Sequence, residues 1–399
     1  LKRESFVESA TNASNLPVWD DGRWTPLPPL LGDHSADSCV IGLGGSGLTL
    51  IEELLRRSER VIGLDASDVG GGAAGRNGGF LLAGTYDFYH DAIRRHGHDR
   101  ARAIYAATLE EMPRIAEAAP GTVRFVGSKR IAATAAELDD CRLQFDAMRA
   151  DGWPCEWYEG ADGQGLFIPT DGAFDPLRRC RWLAQRARDE GATLHGQSPV
   201  LEITGTRVVT AHGTVHAGRV FVAVDGRLER LLPAMAPRVR TARLQMLATA
   251  PTTEITVPCP MYYREGFEYW QQTPDGRIAL GGFRDHGGDG EWTPDTTPSE
   301  VVQAQLERFL REYLGVRAPI THRWAASAGY TSTGLPVIEQ VRENVWALGG
   351  YSGTGNVIGA LSARAVVAAA VDGDMTGVRA LLGEHWSPAP GEITPAIPS

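Results

Sequence analysis

Glycines at positions 42, 44 and 47 of the stretch CVIGLGGSGLTLIEELLRRSERVIGLD could hold a pyrophosphate against bare backbone. Gly42 permits a tight turn, Gly44 lets a phosphate approach the main chain, and Gly47 lets the following helix pack closely on the preceding strand. Gly45 and Ser46 complete the turn, whose free N–H groups and helix-end dipole face the anion. Asp65 stands 23 residues after Gly42 and closes a second apolar strand, VIGLD, where a ribose needs a hydrogen-bond acceptor. Strand, glycines, helix and acid in register predict a dinucleotide-binding unit.

Two further glycine-rich stretches ask for a longer cofactor. Behind Asp65, Ala66 and Ser67 lead into DVGGGAAGRNGGF. There Gly75, Gly78 and Gly79 allow backbone contact, and Arg76 and Asn77 supply donors. Gly350, Tyr351, Ser352, Gly353, Thr354 and Gly355 make a second strand-to-glycine-to-helix junction. Its N–H groups would aim at something electron-rich, as the N1/C2=O edge of a flavin is. A nicotinamide dehydrogenase would explain the first motif and neither of these two.

The stretch GFEYWQQTPDGRIALGGF reads as a β-hairpin closed by Pro274-Asp275-Gly276. Pairing Thr273 with Arg277 sets Gln271 opposite Ala279, Tyr269 opposite Gly281 and Phe267 opposite Phe283, all on one face. Small residues at 279 and 281 beside Tyr269 and Gln271 would leave a neutral hollow for a flat ring and a small substrate. Tyr330 is a comparable pocket candidate, whereas Arg284 and His286 read as surface groups.

These residues need a scaffold. At 399 residues the chain exceeds what one core usually organises, so two interwoven domains are expected. A capping pair, Thr134 and Glu137, predicts a helix start, and Asp175, Pro176 and Gly191 bracket another helix over 176–190. Thr297-Pro298-Ser299-Glu300 repeats the capping signature and opens a helix ending at Gly315. Lys and Arg number 39 against 49 Asp and Glu, a net charge of −10 that argues against a general nucleic-acid binder. No run approaches the roughly 18 apolar residues of a membrane span, and the first residues contain no apolar signal core. Five scattered cysteines without CxxC spacing suggest neither a disulfide framework nor a metal site, so a cytoplasmic setting is expected.

Taken together, GxGxxG at 42–47, Asp65, GRNGG at 75–79, DGRIALGG at 275–282, TSTGLPVI at 331–338 and GYSGTG at 350–355 resemble the D-amino acid oxidase (DAO) superfamily of flavoproteins. The likeness is strongest to its gamma-glutamylputrescine oxidoreductase-type amine oxidases. The resemblance implies a mixed α/β fold, a Rossmann-like FAD-binding domain interwoven with an antiparallel-sheet substrate domain. It implies FAD bound in extended form, with an adenine contact from the main chain at Val200.

Its domains would run as an extended arm over 1–36, an FAD-binding domain over 37–100, 150–235 and 320–385, a substrate domain over 101–149 and 236–319, and a tail over 386–399. No cysteine or histidine stands in GGAAGRNGG or AASAGYTSTG, which favours noncovalent FAD. No arginine stands around AASAGYTSTG to hold an α-carboxylate, which favours an amine over an amino acid. Ala74 and Thr333 depart from the family's usual residues, and Ala279 occupies a position where some relatives place an oxygen-activating lysine. The expected reaction is hydride transfer from an amine α-carbon to flavin N5, giving an imine that water hydrolyses, with oxygen or another acceptor taking the electrons. The scheme requires no acid or base, so no catalytic residue is assigned. An amino acid oxidase or dehydrogenase of the same fold, or a noncatalytic FAD-binding protein, would carry the same cofactor motifs.

Overall fold

The computed structural model describes residues 15–383. The expected tail and the first residues of the expected arm therefore lie outside the described residues. The apolar run into the glycine turn forms a strand, Gly32–Ile41, parallel both to Val61–Leu64 and to Gly213–Val222. Its first half reaches into the segment expected to be arm. Thr193–His195 extends this sheet on one side and Val345–Gly349 joins Gly213–Val222 on the other, both in parallel. The antiparallel strands Val200–Thr204, Arg207–Thr210 and Val337–Arg342 complete eight strands. Helices Gly45–Leu55, Pro176–Asp189 and Ile358–Val367 bury their apolar faces against it through Leu50, Ile51, Leu183 and Val366.

A second sheet of eight strands runs in the order Ile320–Tyr330, Arg240–Thr249, Ile278–Gly281, Glu268–Gln272, Met261–Tyr263, Ser128–Ile131, Gly163–Ile168 and Glu156–Gly160. Three of these strands, at 156–160, 163–168 and 320–330, fall where the sequence reading placed FAD-binding segments. Trp270, Ile278 and Leu280 pack with Val302, Leu306 and Phe309 of the segment that covers one face of this sheet.

The hairpin adopts the expected register, Tyr269 opposite Gly281 and Gln271 opposite Ala279. Phe267 and Phe283 do not pair. Gly282 (φ +139°) and Phe283 (φ +57°) turn the chain out of the strand, and Phe283 packs into the cluster under the sheet.

Caps explain where helices begin. Thr134 Oγ1 accepts from Glu137 N–H (3.1 Å), and Asp175 accepts from Arg178 N–H (2.9 Å). Glu137 returns its carboxylate to Ala133 N–H (2.7 Å), one residue earlier than a capping box predicts, and its other oxygen takes Glu265 N–H (2.6 Å). The later helix starts at Glu300. Ser299 there gives its hydroxyl to Glu291 (2.8 Å) and receives Gln245 Nε2 (2.7 Å), around a buried Arg243–Glu291 ion pair.

Candidate active site

The glycine turn at 42–47 is tight. Gly42 has φ +103° and donates to the Leu64 carbonyl at 2.7 Å. A Cβ on Gly47 would run into the Gly42 carbonyl oxygen, forcing helix and strand apart. Gly44 faces Ala74, and Gly45 faces Arg179, whose Nη1 lies 3.1 Å from where a Cβ would be. Arg179 is 3% exposed, and its Nε has no hydrogen-bond partner among the described residues. Nothing in its sequence context sets it apart from the other arginines of the amphipathic helix Pro176–Asp189.

Asp65 braces the turn it closes. One carboxylate oxygen accepts from Leu43 N–H (2.9 Å), the other from the N–H (2.8 Å) and hydroxyl (2.9 Å) of Ser67. Burial raises its pKa against the pull of these hydrogen bonds. Ala66 is exposed beside it. The carbonyls of Ser67 and Asp65 accept from Gln197 N–H (2.7 Å) and Ser198 N–H (2.8 Å), so the chain entering the strand at Val200 passes alongside the acid.

The other two glycine stretches meet through a pair of amides. Asn77 Nδ2 donates to the Ala73 and Ala74 carbonyls (3.0 and 2.9 Å) and to Asn356 Oδ1 (3.1 Å). Asn356 Nδ2 donates to the Phe80 carbonyl (2.9 Å) and Asn77 Oδ1 (3.3 Å). Gly79 donates to Asn77 Oδ1 (2.8 Å) at φ +70°, with Phe174 too close for any Cβ, and Gly75 closes the short turn before Arg76.

On the far side, Asp225 accepts from Tyr351 N–H (3.2 Å) and Gly329 N–H (3.1 Å), and burial pushes its pKa up to about 6. Ser352 (φ +51°) donates its N–H to the Gly329 carbonyl (2.8 Å), and its hydroxyl accepts from Thr331 N–H (3.2 Å). Thr354 folds back onto the Tyr351 carbonyl through its N–H (2.9 Å) and hydroxyl (2.8 Å). The Tyr351 ring lies beneath Gly355 and Gly359, and Gly359 also borders Ser46 of the first turn. The helix itself begins at Ile358, a turn beyond Gly350–Gly355. Of that turn, the amides of Gly353 and Gly355 donate to no backbone carbonyl among the described residues.

A cavity of about 560 Å³ opens between these loops and the second sheet, lined at one end by Asn77, Gly78, Ser352, Gly353, Thr354, Tyr269 and Tyr330. The Tyr269 ring is wedged between Gly78 and Gly281: a Cβ on Gly78 would stand 3.0 Å from it, and one on Gly281 would collide with it. Burial raises the pKa of both tyrosines, while Arg284 pulls that of Tyr330 back down.

Four expectations need correction. Gln271 does not line the cavity; it is 2% exposed, and its amide donates to the carbonyls of Gly78 (2.5 Å) and Gly79 (3.0 Å), clamping the loop from below. The Arg76 side chain does not line the cavity. Its guanidinium donates to the carbonyls of Ala325 (2.9 Å) and Asn15 (2.7 Å) and to Asn15 Oδ1 (2.6 Å), and burial lowers its pKa to about 10. The hollow is not neutral, since Arg130, Arg284, Asp87 and Asp171 all line it. Arg284, read as a surface group, stacks 5.2 Å from the Tyr330 ring centre and 4.6 Å from that of Trp292. Among the described residues its side chain makes no salt bridge.

Among the described residues no group of three or more His, Cys, Asp or Glu is placed to hold a metal, and no helix is long and apolar enough to cross a membrane.

Comparison with known proteins agrees with this geometry. The family model described as "FAD dependent oxidoreductase" (DAO) matches residues 37–369, and the chain belongs to that family. Gamma-glutamylputrescine oxidoreductase of Escherichia coli K12 is 27% identical, covering 94% of this chain and 93% of that protein. A probable oxidoreductase OrdL of Haemophilus influenzae is 24% identical over 87% of this chain and 85% of its own. Among solved structures, glycine oxidase from Geobacillus kaustophilus superposes with a TM-score of 0.71 at 20% identity, over 86% of this chain and 96% of that one. L-proline dehydrogenase from P. horikoshii gives 0.70 at 20% identity, over 90% and 98%. The protein is an FAD-dependent oxidoreductase, with the mixed α/β architecture those structures share.

Proposed function

We propose that the protein oxidises an amine at its C–N bond with noncovalently held FAD. The observation that carries this reading is the single cavity bounded at once by Asn77 and Gly78, by Ser352–Thr354 and by Tyr269 and Tyr330. The residues fit an extended dinucleotide. The turn at 42–47 is a cradle that any Cβ at Gly47 would fill, Arg179 is a buried cation without a partner for its Nε, and Asp65 offers carboxylate lone pairs beyond those its own loop uses. In this reading Gly42, Gly44, Gly45, Ser46 and Gly47 hold the pyrophosphate with Arg179. Asp65, Ala66, Ser67 and Val200 border the ribose and adenine, and Gly75–Gly79 with Gly350–Gly355 border the ring. Among the described residues no cysteine or histidine lines the cavity, which supports noncovalent attachment. Five buried, unbridged cysteines support a reducing, cytoplasmic setting.

Bound FAD would supply the hydride acceptor, turning an amine into an imine that water hydrolyses to a carbonyl compound. The chain would orient the α-carbon between Tyr269 and Tyr330, favour the neutral amine among their rings, and set the free amides of Gly353 and Gly355 toward developing negative charge. The Escherichia coli relative named for gamma-glutamylputrescine is consistent with an amine substrate.

Arg284 favours a second reading, an α-amino acid whose carboxylate its guanidinium would hold beside Tyr330. Anaerobic bleaching of the flavin separates the two. If primary and secondary amines bleach it faster than the matching amino acids, and Arg284→Ala leaves that order unchanged, the amine reading stands. If amino acids are faster and Arg284→Ala removes their advantage by about 100-fold, as loss of a charge-assisted pair would, the amino acid reading replaces it.

A further inference from the structure

Asp225 stands where the two sheets meet two of the glycine turns. It follows the strand Gly213–Val222 of the first sheet, and Val224 beside it borders Gly42, where a Cβ would meet the Ala223 carbonyl oxygen and the Val224 side chain. On its other side the backbone is stripped of side chains. A Cβ on Gly349 would stand 2.9 Å from Asp225 Cα, and one on Gly329 would stand 3.0 Å from Asp225 Oδ1. These two glycines leave room for one carboxylate between the strand Ile320–Tyr330 of the second sheet and the turn Gly350–Gly355.

The carboxylate fills that room as an acceptor. Oδ1 takes Tyr351 N–H (3.2 Å) and Oδ2 takes Gly329 N–H (3.1 Å), and the N–H groups of Gly350 and Gly226 also act on it. No Lys, Arg or His among the described residues stands within salt-bridge distance of it. Arg227, two positions on, gives its guanidinium to the Ser327 hydroxyl (3.1 Å) and the Pro294 carbonyl (3.1 Å), and Arg240 stacks on Trp292. Glu229 reaches Thr241, whose hydroxyl also meets the Gly226 carbonyl. Facing Asp225 are Tyr330 of the strand and Tyr351 of the turn, and burial, together with the Asp225 charge, raises the pKa of both phenols. At the carboxylate itself burial favours the neutral acid while the four N–H groups favour the anion, and burial prevails far enough to set the pKa at about 6. Asp225 is therefore ionised at neutral pH but poised. A further negative charge nearby would tip it, because like charge disfavours the anion.

We propose that Asp225 is a proton-coupled positioning residue, which takes a proton from solvent when a flavin ring bordered by Gly350–Gly355 is reduced and returns it on reoxidation. Reduction by a hydride, or by two electrons and a proton, adds one negative charge to the ring. Asp225 offsets that charge by forming a carboxyl O–H bond, so two electrons enter with two protons and the net charge between the walls stays constant. The proposal rests on the placement of the ring given above and is independent of which substrate delivers the electrons.

The test reduces the FAD-loaded protein with light and a sacrificial electron donor, so no substrate enters. In unbuffered solution at neutral pH an indicator dye should record a second proton per flavin beyond the one that reduction itself takes, and redox-difference infrared spectra should show the C=O stretch of a newly protonated carboxyl group. Both should vanish in Asp225→Asn. Both should persist in Asp171→Asn, which removes the other carboxyl that titrates near neutrality. Potentiometry adds a pH profile: wild type and Asp225→Asn should run together below about pH 6 and diverge above it. There the wild-type equilibrium constant for reduction should fall a further tenfold per pH unit, about 30 mV for a two-electron couple, until the carboxyl is ionised in both redox states. An offset equal at every pH would show that Asp225→Asn only loosens the wall, and it would overturn the proposal, as would a second proton that survives the substitution. If Asp225→Asn does not fold, isotope-labelled aspartate in the wild type decides: the carboxyl band should shift with the label and persist in Asp171→Asn, and its absence overturns the proposal. Should amines fail to bleach the flavin, the amine reading falls while these outcomes still judge Asp225.

Discussion

Burial lifts the carboxyls of Asp171 and Asp225 to about 7 and about 6, and the two face different tasks. Asp225 holds Gly329 and Tyr351 by their N–H groups, so it fixes one wall of the cavity from behind. A strand ending in AVDG marks it in the sequence only as a turn residue, because its partners lie more than a hundred positions away. Asp171 faces the cavity and keeps its proton more tightly folded than unfolded. Its contribution to stability is therefore fully present below its unfolded pKa near 4 and is lost as pH rises through about 7. The slope should approach roughly 1.4 kcal/mol per pH unit within that window. Asp171→Asn should flatten it, which urea unfolding at several pH values would reveal; an unchanged slope would show that Asp171 does not titrate in this way. Arg76 shows the opposite failure of sequence reading. Its residue type suggested a ligand contact, but its guanidinium is consumed by backbone carbonyls, and no local pattern records which acceptors a long side chain will meet.

Between elements, the Asn77–Asn356 exchange joins the loop before Phe80 to the last glycine turn, 279 residues apart. Asn356→Ala removes the side-chain donor to the Phe80 carbonyl and both hydrogen bonds exchanged with Asn77, at about 1–3 kcal/mol. Both melting temperature and the fraction of FAD retained after gel filtration should fall. Retention equal to wild type would mean the two loops hold the cofactor independently. The hairpin at 268–281 was legible down to its register because Pro-Asp-Gly fixes the turn and alternation fixes the face. Legibility stopped at Gly282, where a positive φ takes Phe283 off the strand, and at Gln271, whose face was foreseen but whose partners, the carbonyls of Gly78 and Gly79, were not. The three glycine motifs could be read because each encodes its own backbone shape. Arg130 could not, since its place on the cavity wall follows from a parallel pairing of Ser128–Ile131 with Met261–Tyr263, elements with no sequence neighbourhood in common.

For the molecule as a whole, the two sheets exchange chain repeatedly, and this is why the expected boundaries differ from the observed strand membership at 156–168 and 320–330. Composition does not change where the chain crosses. FAD held across such a junction by hydrogen bonds and close backbone contact should leave entirely when the protein is precipitated with acid. Yellow colour persisting in the washed pellet would establish a covalent link instead. The junction is also stitched by residues near the start of the described chain. Asn15 accepts from Ala325 N–H and Arg76, and the Trp19 indole donates to the Asn77 carbonyl while its ring packs beside Ala279 and Trp324. Asn15 and Ala325 are 310 positions apart. During synthesis the early segment therefore leaves the ribosome long before its anchorage exists, and the wall around Asn77 acquires its final support only when the strand at 320–330 has emerged. Assembly of the site is thus a late event in the life of each new chain, and nascent forms halted before that strand would leave Trp19 without Trp324 beside it and the Arg76 carbonyl without the Trp324 indole.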